Sequence, residues 1–149
     1  MSAPTSPTLL FDHIGLVVAD IDAARAHLTT TLQMDRWTHI THDAGLGVSV
    51  QFGLGENGTP CFELIAPLGE ASPIARTLAQ GRTILNHIAY RVDDLAAAAE
   101  HLRAQGCFPT GDPAPAQAYG RRNVQFFLSP LRFIIELIEA PGHRHLFQE

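Results

Sequence analysis

Asp12-His13-Ile14-Gly15-Leu16-Val17-Val18-Ala19-Asp20-Ile21 and Asn86-His87-Ile88-Ala89-Tyr90-Arg91-Val92-Asp93-Asp94-Leu95 are two renderings of one pattern. His87 follows His13 by 74 residues, and the same offset returns Val50-Gln51-Phe52 as Val124-Gln125-Phe126 and Ala66-Pro67 as Ala140-Pro141. Phe62-Glu63-Leu64-Ile65 comes back as Ile135-Glu136-Leu137-Ile138 at an offset of 73. A repeat that holds its register this long signals two copies of one supersecondary unit. Each copy carries one histidine near its start and one glutamate near its end.

The first unit begins with a strand over about 11–18, in which Ile14, Leu16 and Val18 alternate with His13, Gly15 and Val17. Asp20 is placed to cap a helix over about 21–32 with Ile21, Ala24, Leu28 and Leu32 on one stripe. Strands are expected at about 36–42, 46–53 and 61–66, with Glu56-Asn57-Gly58 as the turn between the last two. The second unit repeats the order: a strand at about 87–92, a helix from about Asp94 to Gln105 stopped by Gly106, then strands at about 107–110, 122–128 and 132–139. Residues 112–120 are a loop by composition. Ser72-Pro73 opens a linker helix over about 72–81 that Gly81 ends.

The expectation is a single α+β domain over 1–149, made of two tandem βαβββ modules at about 10–67 and 86–140, with a flexible tail at 141–149. Eight strands form one curved mixed sheet. Each helix covers one face, and the other face cups a metal-binding cleft.

Side chains alternate across a strand, so His13 shares a face with Gly15 and Val17, and His87 with Ala89 and Arg91. Small residues beside each histidine leave room for a ligand. Glu63 and Glu136 stand between large apolar neighbours, where a carboxylate is costly to bury unless paired, protonated or bound to metal. One divalent cation relieves both carboxylates at once. Mixed nitrogen and oxygen donors suit Zn, Ni, Co, Mn or Fe rather than Ca or Mg. A six-coordinate ion on four protein ligands keeps two positions for water or substrate, as catalysis requires.

Gln51, Gln125, Arg121 and Arg122 are the candidates for substrate binding, the arginines for a phosphate or carboxylate. The other histidines read as structural or exposed: His27 and His101 on the helix edges, His39 and His42 near the second strand, His143 and His145 on the tail.

Composition narrows the function. Hydrophobic residues make up 46% of 149 residues, too many for disorder. The net charge is −5 and no basic run exceeds Arg121-Arg122, which argues against nucleic acid. All ten basic residues are arginine, so lysine Schiff-base chemistry and a P-loop are excluded. No apolar run is long enough to span a membrane, and the first seven residues do not resemble a signal peptide, so the expected compartment is the cytoplasm. Cys61 and Cys107 read as reduced, buried and inert.

Asp12-His13-Ile14-Gly15, Glu63-Leu64-Ile65-Ala66-Pro67-Leu68, Asn86-His87-Ile88-Ala89 and Ile135-Glu136-Leu137 resemble the motifs of the vicinal oxygen chelate superfamily, the glyoxalase/bleomycin-resistance/dioxygenase fold. Residues 66–75 and 86–94 are similar to its methylmalonyl-CoA epimerase branch, while a first-module Glu at position 63 is similar to glyoxalase I. The resemblance implies that His13, Glu63, His87 and Glu136 are metal ligands. It implies enolate-type chemistry on a small carbonyl or thioester substrate, as an isomerase or lyase, with Glu136 shuttling the proton. It also implies a homodimer. The chain departs from the epimerases where Gly47-Val48 is followed by Ser49, Val50 and Gln51, none of them the acid expected there. The alternatives are an iron-dependent dioxygenase, which the fourth ligand Glu63 opposes, and a bleomycin-resistance-like binding protein without chemistry.

Overall fold

A computed structural model of the chain describes residues 7–55, 61–79 and 84–148. The turn expected at Glu56-Asn57-Gly58 and the helix stop expected at Gly81 lie outside the described residues.

Ten strands share one mixed sheet. In chain order they are β1 (Leu10–Val17), β2 (Met34–Trp37), β3 (Thr41–Asp43), β4 (Val48–Gly55), β5 (Cys61–Pro67), β6 (Ile84–Arg91), β7 (Phe108–Pro109), β8 (Ala114–Ala116), β9 (Arg122–Leu128) and β10 (Ile134–Ile138). The main path runs β2-β4-β5-β1-β6-β10-β9-β7, with β3 on β4 and β8 on β9. The count exceeds the expected eight for two reasons. The strand expected at 36–42 breaks at its middle into β2 and β3. The loop expected at 112–120 pairs as β8 and then forms a one-turn 3-10 helix, Gln117–Tyr119, because its prolines sit where an edge strand tolerates them.

Among the described residues there are three α-helices: α1 (Ile21–Leu32), α2 (Ala75–Ala79) and α3 (Leu95–Ala104). The side chains of Asp20 and Asp94, repeat equivalents, each accept a hydrogen bond from the amide three residues on, at Ala23 and Ala97. Gly106, at φ +87°, ends the turn after α3 in a conformation most residues avoid. The linker helix begins at Ala75, leaving Ser72-Pro73 outside it. α1 packs Ile21, Ala24 and Leu28 on Leu64 and Ala66 of β5. Leu32, expected on that stripe, is exposed. α3 packs Leu95, Ala98, Ala99 and Leu102 on Phe127 and Leu137. Both helices therefore lie on the same side, and none is long and apolar enough to cross a membrane.

The two halves join through their first strands, β1 and β6, which run antiparallel at the centre of the sheet. On the face away from the helices the sheet curls and its two halves touch: the backbone N–H of Gln117, just after β8, donates to the carboxylate of Asp43 in β3 at 2.9 Å. The C-terminal residues are part of this closure and not a free tail. Thr38 bridges Phe147, the Gln148 N–H bonds the Trp37 carbonyl, and the His145 ring stacks on Phe52 with 3.8 Å between centroids. The apolar rings of this segment find a partner surface inside the curl, which composition alone does not reveal.

Candidate metal centre

Strand register builds the centre. Gly15 pairs with Glu63 on one side and His87 on the other, so these three form one row across the sheet. Ala89 pairs with His13 and Glu136, forming the next row. Paired residues on neighbouring strands point to the same face. The two small residues are thus the floor between a histidine and a glutamate in each row, and pseudo-symmetry converges all four side chains on one point.

All four are buried. His13 Nε2 lies 2.9 Å from His87 Nε2, 3.2 Å from Glu63 Oε1 and 3.3 Å from Glu136 Oε1. His87 Nε2 lies 3.4 Å from Glu63 Oε1 and 3.1 Å from Glu136 Oε1. A cation with donors at about 2.0–2.1 Å needs donor–donor edges of about 2.9 Å in an octahedron and about 3.4 Å in a tetrahedron. The observed separations span that range, and the donor set of two neutral imidazoles and two carboxylates balances a divalent charge. The residues fit a metal.

Both outer nitrogens are held in the same way. His13 Nδ1 donates to Asp12 Oδ2 at 2.7 Å, and His87 Nδ1 to Asn86 Oδ1 at 2.8 Å. Each ring therefore turns Nε2 inward. Two inward Nε2 atoms at 2.9 Å attract one another only with a proton between them, since neutral rings in this tautomer present two lone pairs. Protonation follows the same logic. Burial opposes charge on every member, but the glutamates raise His87 and lift His13 well above the ordinary histidine range. The histidines in turn lower Glu136 and bring Glu63 down to about 2.

A cation bound by both Nε2 atoms excludes a proton from the space between them. Metal uptake is expected to release protons and to weaken as the pH falls, because histidines of raised basicity refill with protons on the acid side. Calorimetric titration in buffers of different ionisation enthalpy reads the proton release directly. An affinity that stays flat between about pH 8 and 6 would contradict this account.

Glu63, His87 and Glu136 line a cavity of about 310 Å³, with His13 buried behind them, and the remaining surface is largely apolar and includes Val48, Val50, Ile65, Ile74, Phe126 and Ile134. Of the four substrate-binding candidates, none lines it. Gln51 pairs with Leu64 and Gln125 with Leu137, residues of the helix-facing cores, so alternation turns both glutamines away from the cleft. Gln51 instead bonds Arg25 and the Thr38 carbonyl, and Gln125 bonds the Gly111 carbonyl. Arg121 and Arg122 are exposed, the second bonded to the Glu139 carbonyl.

Five residues that sequence reasoning passed over take part. Asp12 and Tyr119 are buried beside His13, with Arg91 and His145 close by. The signal for Asp12 was its place before the first histidine, matched by Asn86 before the second. Nothing in the sequence marks Tyr119, which arrives from the other module. Asp43 lines the cavity, but its two oxygens accept the N–H groups of Leu46 and Gln117 and so fasten the curl of the sheet. Ser49 bonds His42, and no acid replaces it in the wall at positions 49–51. Cys61, its thiol pushed up to about 12 by burial, stays protonated and is no nucleophile.

The pattern of the Glyoxalase/Bleomycin resistance protein/Dioxygenase superfamily matches residues 12–126. The ethylmalonyl-CoA/methylmalonyl-CoA epimerase of Cereibacter sphaeroides is 33% identical over 130 residues, covering 86% of this chain and 93% of its own. The crystal structure of methylmalonyl-CoA epimerase from Mycobacterium tuberculosis superposes with a TM-score of 0.72 at 28% identity, over 93% of this chain and 91% of that one. A second methylmalonyl-CoA epimerase structure gives a TM-score of 0.73 at 26% identity, over 93% of this chain and 100% of that one.

Proposed function

The chain belongs to the glyoxalase/bleomycin resistance protein/dioxygenase superfamily, and on that premise we propose that it is a metal-dependent enzyme of the epimerase and isomerase type. Its substrate is a small carbonyl compound or acyl thioester, and the reaction moves a proton at the carbon beside the carbonyl. The observation that carries this reading is the convergence of His13, Glu63, His87 and Glu136, whose ligand atoms all lie within 4.8 Å of one another, three of the four residues lining a cavity.

The four residues would hold one divalent transition metal, of the group Zn, Ni, Co, Mn and Fe. When bound, it supplies stabilisation of negative charge on a substrate oxygen. The chain's own residues do the rest. The apolar walls around Val50, Ile65 and Phe126 exclude water and press the acyl group toward the quartet. Glu136, which lines the cavity, accepts the proton from the carbon. The relatives' substrates, methylmalonyl-CoA and ethylmalonyl-CoA, set the starting point for assays.

Inverting a carbon calls for a proton donor on the face opposite the base. Val50 and the tethered Asp43 occupy the wall near that role, and neither is a free acid. Proton exchange is therefore the more direct readout than inversion. We expect the metal-loaded protein to bind one equivalent of metal and to exchange the acyl α-proton with deuterated solvent, followed by NMR. Removal of the metal by a chelator is expected to abolish exchange. A protein that takes up no stoichiometric metal from this group defeats the reading.

A further inference from the structure

We propose that Asp12 and His145 form the positioning unit of the metal centre: they fix the ring of His13 and make it the more tightly held of the two histidine ligands. This rests on the reading of the quartet as a metal site.

The two halves are symmetric in the quartet but not behind it. The residue before His87 is Asn86, a neutral amide with one recorded contact to the ring. The residue before His13 is Asp12, a carboxylate. A register shift in the β1–β6 ladder between Phe11 and His13 leaves Asp12 without a cross-strand partner. A bulge of this kind re-aims side chains, and here it brings Asp12 to the side of the sheet that bears His13.

Asp12 Oδ2 accepts from His13 Nδ1 at 2.7 Å, from the Tyr119 hydroxyl at 2.6 Å and from His145 Nε2 at 2.9 Å. Arg91 Nε stands 3.1 Å from Oδ1, in ion-pair range. Arg91 also bonds the carbonyls of Pro141 and His143, tying the C-terminal segment to the same carboxylate. His145 is held in turn by its stack on Phe52.

A carboxylate with this many fixed donors cannot swing, so the imidazole it holds cannot rotate. An outer carboxylate also makes the ligating nitrogen a stronger donor than an amide does. His13 thus gains both orientation and basicity, His87 neither. The C-terminal segment bears on the centre through Asp12, by the His145 ring and by way of Arg91.

The test uses Co²⁺, read by competition with a chromogenic chelator and by its visible absorption, on the wild-type chain and on Asp12→Asn, His145→Phe and Asn86→Asp. Thermal melts of the metal-free variants report folding. His145→Phe keeps an aromatic ring against Phe52 and removes only the bond to Asp12. Expected is a loss of Co²⁺ affinity of about 10–100-fold in Asp12→Asn and about 5–10-fold in His145→Phe. Both are expected to show a changed absorption spectrum, while Asn86→Asp binds at least as tightly as wild type. Wild-type affinity and spectrum in His145→Phe overturn the role of His145. The same result in both variants overturns the positioning unit. If Asp12→Asn does not fold, His145→Phe decides. A wild-type chain that takes up no Co²⁺ removes the metal site, and with it the unit. Failure of the inference alone is thereby distinct from failure of the reading beneath it.

Discussion

Gly15→Ala is expected to yield a folded protein that no longer retains metal. A β-carbon at position 15 would stand 2.2 Å from His87 Cε1 and 2.6 Å from both ring nitrogens. No rotation of the imidazole in place clears all three. Either the ring leaves the centre, or β1 and β6 separate at the pair on which the junction of the two modules depends. Overpacking of this kind costs about 1–3 kcal/mol, roughly 3–10 °C of melting temperature for a domain of this size. The larger effect falls on the ligand set. A displaced His87 removes one of four donors and breaks the bond to Asn86. Metal affinity is then expected to fall by more than about 100-fold, beyond the range of outer-shell changes. Ala89→Gly is the matched control, because position 89 is the floor of the other row and His13 is held by Asp12 whatever lies beneath it. Equilibrium dialysis against Co²⁺ or Zn²⁺ checks both variants. Wild-type retention in Gly15→Ala would show that the floor of the site does not constrain the ring.

The same glycine shows how the sequence can be read and where reading stops. Repeats expose pseudo-symmetry, and alternation within a strand tells which residues share a face. From those two rules the quartet follows; helix periodicity adds the cap at Asp20 and the packed Ile21, Ala24 and Leu28 of α1. What fails is whatever depends on contacts between distant segments. Gln51 and Gln125 read as candidates for substrate binding, yet neither lines the cavity. Alternation against Phe52 and Phe126 places them on the helix side of the sheet. The tail from 141 carries no strand or helix pattern, so only the folded curl shows that His145 has Phe52 and Asp12 to meet. Tyr119 comes from a stretch whose prolines and small residues resemble a loop, and its burial is decided by the opposite module. The bulge that redirects Asp12 arises from the ladder, which a single strand's sequence does not encode.

Glu136→Gln is expected to lower turnover by about 10²–10⁴-fold, the span of a lost general base, whereas Glu63→Gln is expected to keep turnover within about tenfold of wild type. The two substitutions remove the same charge from pseudo-equivalent positions, and each leaves an oxygen donor toward the metal. Any difference between them therefore reports on their surroundings. Those surroundings differ. Glu63 pairs across the sheet with Phe52, and Phe52 is roofed by the stacked ring of His145 and flanked by Tyr119. Glu136 pairs with Phe126, which faces the cavity. Both carboxylates line the cavity, but only the aromatic neighbour of Glu136 does so too, while the C-terminal segment covers the neighbour of Glu63. An acyl group that packs on Phe126 brings its carbon beside Glu136 rather than Glu63. Measured α-proton exchange, with metal content determined for each variant, separates loss of the base from loss of the metal. Equal losses in the two variants, at equal occupancy, would mean that neither carboxylate is singled out. Exchange undiminished in Glu136→Gln would remove Glu136 from the chemistry altogether.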